Sequence, residues 1–257
     1  MSVKPAQVLC IDKVAEDVFH LSLKLLWGAE SVRPFNFFTI WVPRVDEIPL
    51  SIAYYDGEKY SFLFKVRGVG TKALASIRPG SFLGLKGPLG RGFLIHDKTS
   101  RILAVVGGIG IAPIPFFIKG SSYSRLDVVW GVKKKSELFD LNKLFPEIAG
   151  KYHLITATED CSYGVCGTVI DALKNIDLDT YDIIIAVGPQ PMLRLLCENT
   201  RELKASSVYV ALETIVKCGA GLCGSCYIKY TNKLLCVDGP VFRCDEVIVH
   251  LRESADS

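Results

Sequence analysis

The sequence predicts a β plus α/β protein: an N-terminal antiparallel β-barrel, a central domain on a parallel sheet, and a small C-terminal segment organised by cysteines. Three observations predict it. Short strand-like runs fill residues 1–97, strand and helix patterns alternate over 98–205, and 206–257 holds five cysteines, four of them crowded into 218–236. These ranges are the expected division of the chain.

The barrel elements come first. "VFHLSLKLL", "FNFFTIWV", "LSIAYYD" and "YSFLFKVRG" are rich in β-branched and aromatic residues and are separated by Gly, Pro or charge. "GTKALASIRPG" fits one short helix, and "SFLGLKGPLGRGF" fits a strand running into a glycine loop. Several short strands at such spacing predict a closed antiparallel barrel. From about Thr99 the pattern changes. "RILAVVGG", "RLDVVWGV", "YHLITATED" and "DIIIAVG" read as buried strands, and helix-like stretches such as "APIPFFIKGSS" and "PQPMLRLLCENTREL" lie between or after them. That alternation predicts βαβ units and a parallel sheet. From about Ser206 the chain turns glycine- and cysteine-rich.

Composition narrows the function. The 257 residues are 49% hydrophobic and 22% charged, enough for two compact domains and an appendage. A net charge of +3, with no basic cluster interleaved with aromatics, gives nucleic-acid binding no support. "MSVKPAQVLCIDKVAED" is charged where a secretory signal needs an apolar run, so a cytoplasmic location is expected. Residues 102–118 lack charge, but their central glycines and prolines fit a strand, a turn and a helix start better than a membrane span. Nine unevenly placed cysteines fit metal ligation in a reducing compartment better than a disulfide framework.

The spacing Cys218-x4-Cys223-x2-Cys226-x9-Cys236 is the sharpest signal. A [2Fe–2S] cluster takes four thiolates, and the first three cysteines have the plant-type ferredoxin spacing. Gly219, Gly221 and Gly224 let the backbone wrap closely. A zinc site also takes four cysteines, but it usually pairs two C-x2-C knuckles, and only one is present. Cys244 is an alternative fourth ligand. Cys161 and Cys166 read as loop or core thiols, and Cys10 and Cys197 as small core residues. His20, His96, His153 and His250 are scattered singly, without a metal-ligand pattern. No catalytic triad or metalloprotease motif is present, and no catalytic acid or base is expected.

The glycine turns are candidate anion sites. Gly107, Gly108 and Gly110 in "VVGGIGIAP" join a strand to a helix start, where N–H groups favour a pyrophosphate. Gly188 opens a second turn, where a crevice forms at the strands' carboxyl ends. In the barrel, Gly70 and Thr71 of "VRGVGTKAL", with Ser51 of "PLS", offer donors to a phosphate or serve as an ordinary turn and cap.

Barrel, α/β domain and cysteine segment in this order resemble the ferredoxin-reductase superfamily. More narrowly, "ALETIVKCGAGLCGSC", "CVDGPVF" and "GVCGTVIDAL" resemble the iron–sulfur electron-transfer subunits of dihydroorotate dehydrogenase B. That resemblance implies FAD in the barrel, held at Leu50, Ser51, Leu63, Phe64, Lys65, Gly70 and Thr71. It implies NAD at Gly107, Gly108, Gly110 and Gly188, and a cluster on Cys218, Cys223, Cys226 and Cys236. It also implies a hetero-oligomer with an FMN-containing catalytic subunit that oxidises dihydroorotate in pyrimidine synthesis. One position departs from the family pattern. Where relatives carry R-x-x-S at the flavin strand, this chain has Ile48-Pro49-Leu50-Ser51, so a charge-assisted phosphate contact is missing. Arg44, Lys65 and Arg67 are the candidates to replace it. Other readings are a reductase subunit of a hydrogenase or sulfide-type oxidoreductase, the same subunit with a different acceptor, and a zinc-bearing scaffold.

Overall fold

The computed structural model describes residues 2–28, 30–200 and 207–253. Six strands, β1 (Lys4–Ala15), β2 (Val18–Leu25), β3 (Phe37–Val42), β4 (Asp46–Tyr55), β5 (Lys59–Lys65) and β6 (Phe82–Leu89), close an antiparallel barrel in the order β1-β2-β5-β4-β3-β6. Period-two alternation turns Leu21, Leu23, Phe38, Ile40, Phe62 and Phe64 into its core. The β4–β5 hairpin closes because the Asp56 carboxylate accepts from the N–H groups of Glu58 and Lys59 at 2.9 and 2.7 Å. Helix α1 (Val69–Ala75) plugs Leu74 into the same core. "PLS" lies inside β4 rather than at its start.

The remaining strands are β7 (Arg101–Gly107), β8 (Arg125–Val132), β9 (His153–Thr158), β10 (Val165–Cys166), β11 (Ile183–Val187), β12 (Ser207–Ala211), β13 (Tyr227–Ile228), β14 (Lys233–Leu234) and β15 (Val241–Arg243). Seven of them form one sheet in the order β10-β9-β8-β7-β11-β12-β15. All its neighbours run parallel except β15, which is antiparallel to β12. Alternate residues of the apolar strands feed two cores. Ile102, Ala104 and Val106 meet α2 (Ile114–Gly120) and α3 (Leu141–Leu144) on one face. Leu103 and Val105 meet α4 (Val169–Leu173), α5 (Gln190–Asn199) and α7 (Cys244–Glu253) on the other. The uncharged run at 102–118 becomes β7, a tight turn over Gly108–Ile111, and α2.

Residues 207–211, expected within the cysteine segment, continue the parallel sheet as β12. The cysteine loop is an excursion between β12 and β15, carrying the β13–β14 hairpin and α6 (Leu235–Asp238). Cys226, Ile228, Leu235 and Cys236 share the core of α5 and α7. The expected boundary at 205/206 falls in 201–206, outside the described residues.

Four cysteines depart from expectation by pairing. Cys197 on α5 and Cys244 at the start of α7 form a disulfide, their Cα atoms 5.5 Å apart. Helix packing brings together residues 47 apart in sequence, and it removes Cys244 from contention as a cluster ligand. Cys161 and Cys166 are also paired, because left-handed backbone at Cys161 (φ 60°) and Gly164 (φ 68°) folds their loop back on itself. Cys10 is half-buried and carries no disulfide.

Candidate functional site

Cys218, Cys223, Cys226 and Cys236 are free thiols on one loop and its return helix. Positive φ at Gly219 (68°), Gly221 (73°) and Gly224 (72°) curls the loop, a conformation most L side chains resist. The Ala220 N–H donates to Cys218 Sγ at 3.4 Å, and the Cys236 N–H to Cys226 Sγ at 3.5 Å. Hydrogen bonding, first with Ser225 and then with Cys218, draws the exposed Cys223 thiol down to about 6. Burial first, then the neighbouring Cys226 and Cys218 thiols, pushes Cys236 up to about 11. Thiolates crowded in this way need a cation's charge to coexist.

Their spacing bears on which metal fits. A mononuclear tetrahedral zinc holds every pair of sulfurs about 3.8 Å apart. Among the described residues, no three of these thiols lie within 4.8 Å of one another. A two-iron centre divides its thiolates between two metals and tolerates that spread. The donor set therefore fits [2Fe–2S] better than zinc.

The loop is seated on the barrel rim. The Gly90 N–H donates to the Cys236 carbonyl at 2.9 Å, the Arg91 N–H to the Gly239 carbonyl at 2.8 Å, and Lys86 Nζ to the Lys217 carbonyl at 3.3 Å. A Cβ on Gly90 would sit 2.4 Å from the Gly239 carbonyl oxygen, so only glycine permits this approach.

A cleft of about 340 Å³ opens beside this contact. Ile48, Leu50, Ser51, Leu63, Phe64 and Lys65 line it from β4 and β5, with Arg67 and Thr71 nearby on the loop and α1. Val216, Leu235 and Pro240 close it from the cysteine segment. Gly70 is on the same helix without lining the cleft, and a Cβ there would meet the Asp46 carboxylate at 2.4 Å. The Thr71 hydroxyl oxygen accepts from the N–H groups of Arg67 and Gly68 at 2.9 and 3.0 Å, so it holds the loop's shape. An apolar slot edged by Ser51, Lys65, Arg67 and Thr71 fits a flavin. Of the three cations expected to replace the missing arginine, Arg44 lines no cleft described here, and Lys65 is paired with Glu137 at 2.8 Å. Arg67 lines both this cleft and the next.

The second cleft, of about 410 Å³, contains Gly107, Gly108, Gly110 and Gly188. It lies at the carboxyl ends of β7 and β11, where the strand order reverses, the usual position of nucleotide sites in open parallel sheets. Three of these glycines serve packing. A Cβ at Gly110 would lie 2.4 Å from the Val187 carbonyl oxygen, at Gly107 2.8 Å from Met192 Sδ, and at Gly188 3.0 Å from the Gly107 nitrogen. Gly108 differs: its φ is 55° and nothing lies within 4 Å of a Cβ there. Trp130 Nε1 donates to its carbonyl at 2.9 Å. Sequence reasoning missed Glu213, which lines both clefts. Its place just before the cysteine motif was the available signal.

Fold and site together define an iron–sulfur oxidoreductase of the ferredoxin-reductase type, with flavin and nucleotide clefts meeting beside a cysteine loop. Residues 213–248 match the family model for the iron–sulfur cluster binding domain of dihydroorotate dehydrogenase B. The chain is 35% identical over 239 residues to a probable dihydroorotate dehydrogenase B (NAD(+)), electron transfer subunit, of Archaeoglobus fulgidus, covering 92% of this chain and 94% of that one. It is 32% identical to the Clostridium acetobutylicum electron transfer subunit of the same enzyme, over 93% and 94% of the two chains. The chain belongs to the family of dihydroorotate dehydrogenase B electron transfer subunits. Among solved structures, a chain of the NADH-dependent reduced ferredoxin-NADP oxidoreductase superposes with a TM-score of 0.81 at 28% identity, over 98% of this chain and 94% of that one. The cytochrome b5 reductase domain of Ulva prolifera nitrate reductase shares the fold, with a TM-score of 0.64 at 15% identity over 80% of this chain and 97% of that one.

Proposed function

We propose that this chain carries electrons from a dihydroorotate-oxidising partner subunit to NAD+ in pyrimidine synthesis. The observation that carries the reading is the convergence of the cysteine loop and both clefts: Leu235 and Val216 line the flavin cleft, and Glu213 lines flavin and nucleotide clefts alike. When bound, the cluster supplies one-electron transfer and FAD connects it to two-electron hydride transfer with NAD+. Cys218, Cys223, Cys226 and Cys236 ligate the cluster. Leu50, Leu63 and Phe64 form the ring slot with Ile48, and Ser51, Lys65 and Thr71 edge it, with Gly70 keeping α1 close. Arg67 supplies the cation that Ile48 does not. Gly107, Gly110 and Gly188 shape the nucleotide turn, and Gly108 admits the dinucleotide.

The partner is an FMN-containing catalytic subunit, and the assembly is a cytoplasmic hetero-oligomer. Leu222 is 87% exposed and Ile215 70% exposed, both beside the cysteines, so the apolar face available to that partner surrounds the cluster. The division 1–97, 98–205 and 206–257 is a functional one on this reading: flavin, nucleotide and cluster.

The test is to co-purify chain and partner anaerobically, count iron, identify the flavins after acid release, and follow NAD+ reduction by dihydroorotate. Two irons per chain, FMN and FAD together, and NADH formation are expected. Iron with FMN alone would remove the FAD and NAD+ branch, and absence of iron would overturn the reading. Arg67→Ala should release FAD while iron stays.

A further inference from the structure

We propose that Cys10, Asp12 and His20 form a zinc-binding site on the outer face of the barrel, separate from the iron–sulfur loop. Asp12 on β1 pairs directly with His20 on β2, and Cys10 stands two residues from Asp12 on the same strand. Residues at i and i+2 share a strand face, and a directly opposed residue joins them there. Their ligand atoms, one sulfur, one oxygen and one ring nitrogen, all lie within 4.8 Å of one another. Neighbouring Leu21 and Ile11 turn into the barrel core, so the trio faces outward.

Two independent observations point to a ligand. His20 is only 9% exposed, and its Nε2 is buried without a hydrogen-bond partner. A buried polar atom without a partner is uncommon and calls for an explanation. The second observation is the cysteine inventory. Of nine cysteines, four are the candidate cluster ligands and four are in disulfides, which leaves Cys10 with neither role.

The donor chemistry selects the metal. One thiolate, one imidazole and one carboxylate suit zinc, which takes S, N and O donors at about 2.0–2.3 Å. A tetrahedron with those bonds needs donors about 3.3–3.8 Å apart, within reach of rotamer adjustment from the present spacing. Asp12 is exposed, so water completes the fourth position. Phe145 meets the His20 ring edge-on at 5.8 Å and restricts solvent on that side. Loading displaces the Cys10 thiol proton, now shared with Asp12, to solvent. Lys59 is the cation acting on Cys10, and the Asp12 carboxylate offsets its charge. Loaded, the site would clip β1 to β2 a few residues from the turn of their hairpin. The sequence shows His20 as a single histidine; strand register is what brings it beside Cys10 and Asp12.

The test uses the cluster-loaded chain, equilibrated anaerobically with zinc, dialysed against metal-free buffer, and assayed for zinc and iron by mass spectrometry. One zinc per chain with iron unchanged is expected. Asp12→Asn, an exposed substitution that leaves packing intact, should lose the zinc and keep the iron, as should His20→Gln. Zinc-edge absorption should show one sulfur and otherwise N/O neighbours. Zinc should also raise the melting temperature of the wild-type chain and leave that of Asp12→Asn unchanged. No retained zinc, zinc retained equally by Asp12→Asn, or zinc with a four-sulfur shell and matching iron loss would each overturn the proposal.

Discussion

The cysteine loop and the turn after β7 are both glycine-rich, yet their glycines serve different physics. In the cysteine loop Gly219, Gly221 and Gly224 hold φ near 70°; a Cβ would meet only side-chain ends at Gly219 (Leu89, 3.0 Å) and Gly221 (Val237, 2.8 Å), and nothing within 4 Å at Gly224. Backbone handedness selects glycine there. At the nucleotide turn Gly107, Gly110 and Gly188 lack positive φ, but an added Cβ would meet a neighbour at 3.0 Å or less. Space selects glycine there. A glycine-rich motif therefore announces two separate requirements, which respond differently to the same substitution.

The largest effect belongs to the ligands that the loop exists to present. Cys236→Ser removes a buried thiolate, and the purified chain should lose its iron–sulfur absorption and its iron while the barrel retains flavin. Iron retained at wild-type level would return Cys236 to a packing role. Next comes Gly110→Ala. Its Cβ would lie 2.4 Å from the Val187 carbonyl, and a backbone atom of a central strand cannot swing aside. The cost should be about 3 kcal/mol, read as a lower denaturation midpoint at unchanged slope. A neutral result would mean that the two turns are not held in contact.

Much of this was legible in the sequence, for identifiable reasons. Alternation in "VFHLSLKLL" and "YSFLFKVRG" announced barrel strands because one face must be buried, and the four-cysteine spacing announced a cluster because ligand count and reach are local. What escaped depended on register or helix packing. Cys197 finds Cys244 only because α5 and α7 share a face of the sheet. Cys10 meets His20 only through the pairing of β1 with β2. Glu213 reaches both clefts because β12 ends at their junction, which composition alone does not place. The packing role of Gly107, Gly110 and Gly188 was likewise hidden, since a motif does not say which atom each Cβ would strike.

Gly108 is the exception that sharpens the contrast, since it sits in the crowded turn but has the cysteine loop's signature: φ of 55° and open space. Gly108→Ala should cost about 1 kcal/mol in stability through backbone handedness. If open space there admits the dinucleotide, the dissociation constant for NADH should rise roughly tenfold as well, equivalent to about 1.4 kcal/mol. A stability loss with unchanged NADH binding would make Gly108 a turn residue only.

The smallest effect should come from Gly224, and it separates handedness from space most cleanly. Gly224→Ala should cost about 1 kcal/mol, because φ of 72° disfavours a Cβ even where nothing crowds it. Gly224→Asn should cost less despite its larger side chain, since asparagine tolerates left-handed backbone and open space receives its amide. At Gly110 the order should reverse, with the larger side chain worse, because there the limit is the Val187 carbonyl. Denaturation midpoints of the four variants suffice to decide it. Asn better than Ala at 224 and worse at 110 would establish that the two glycine sets answer to different constraints, and the same order at both positions would collapse them into one.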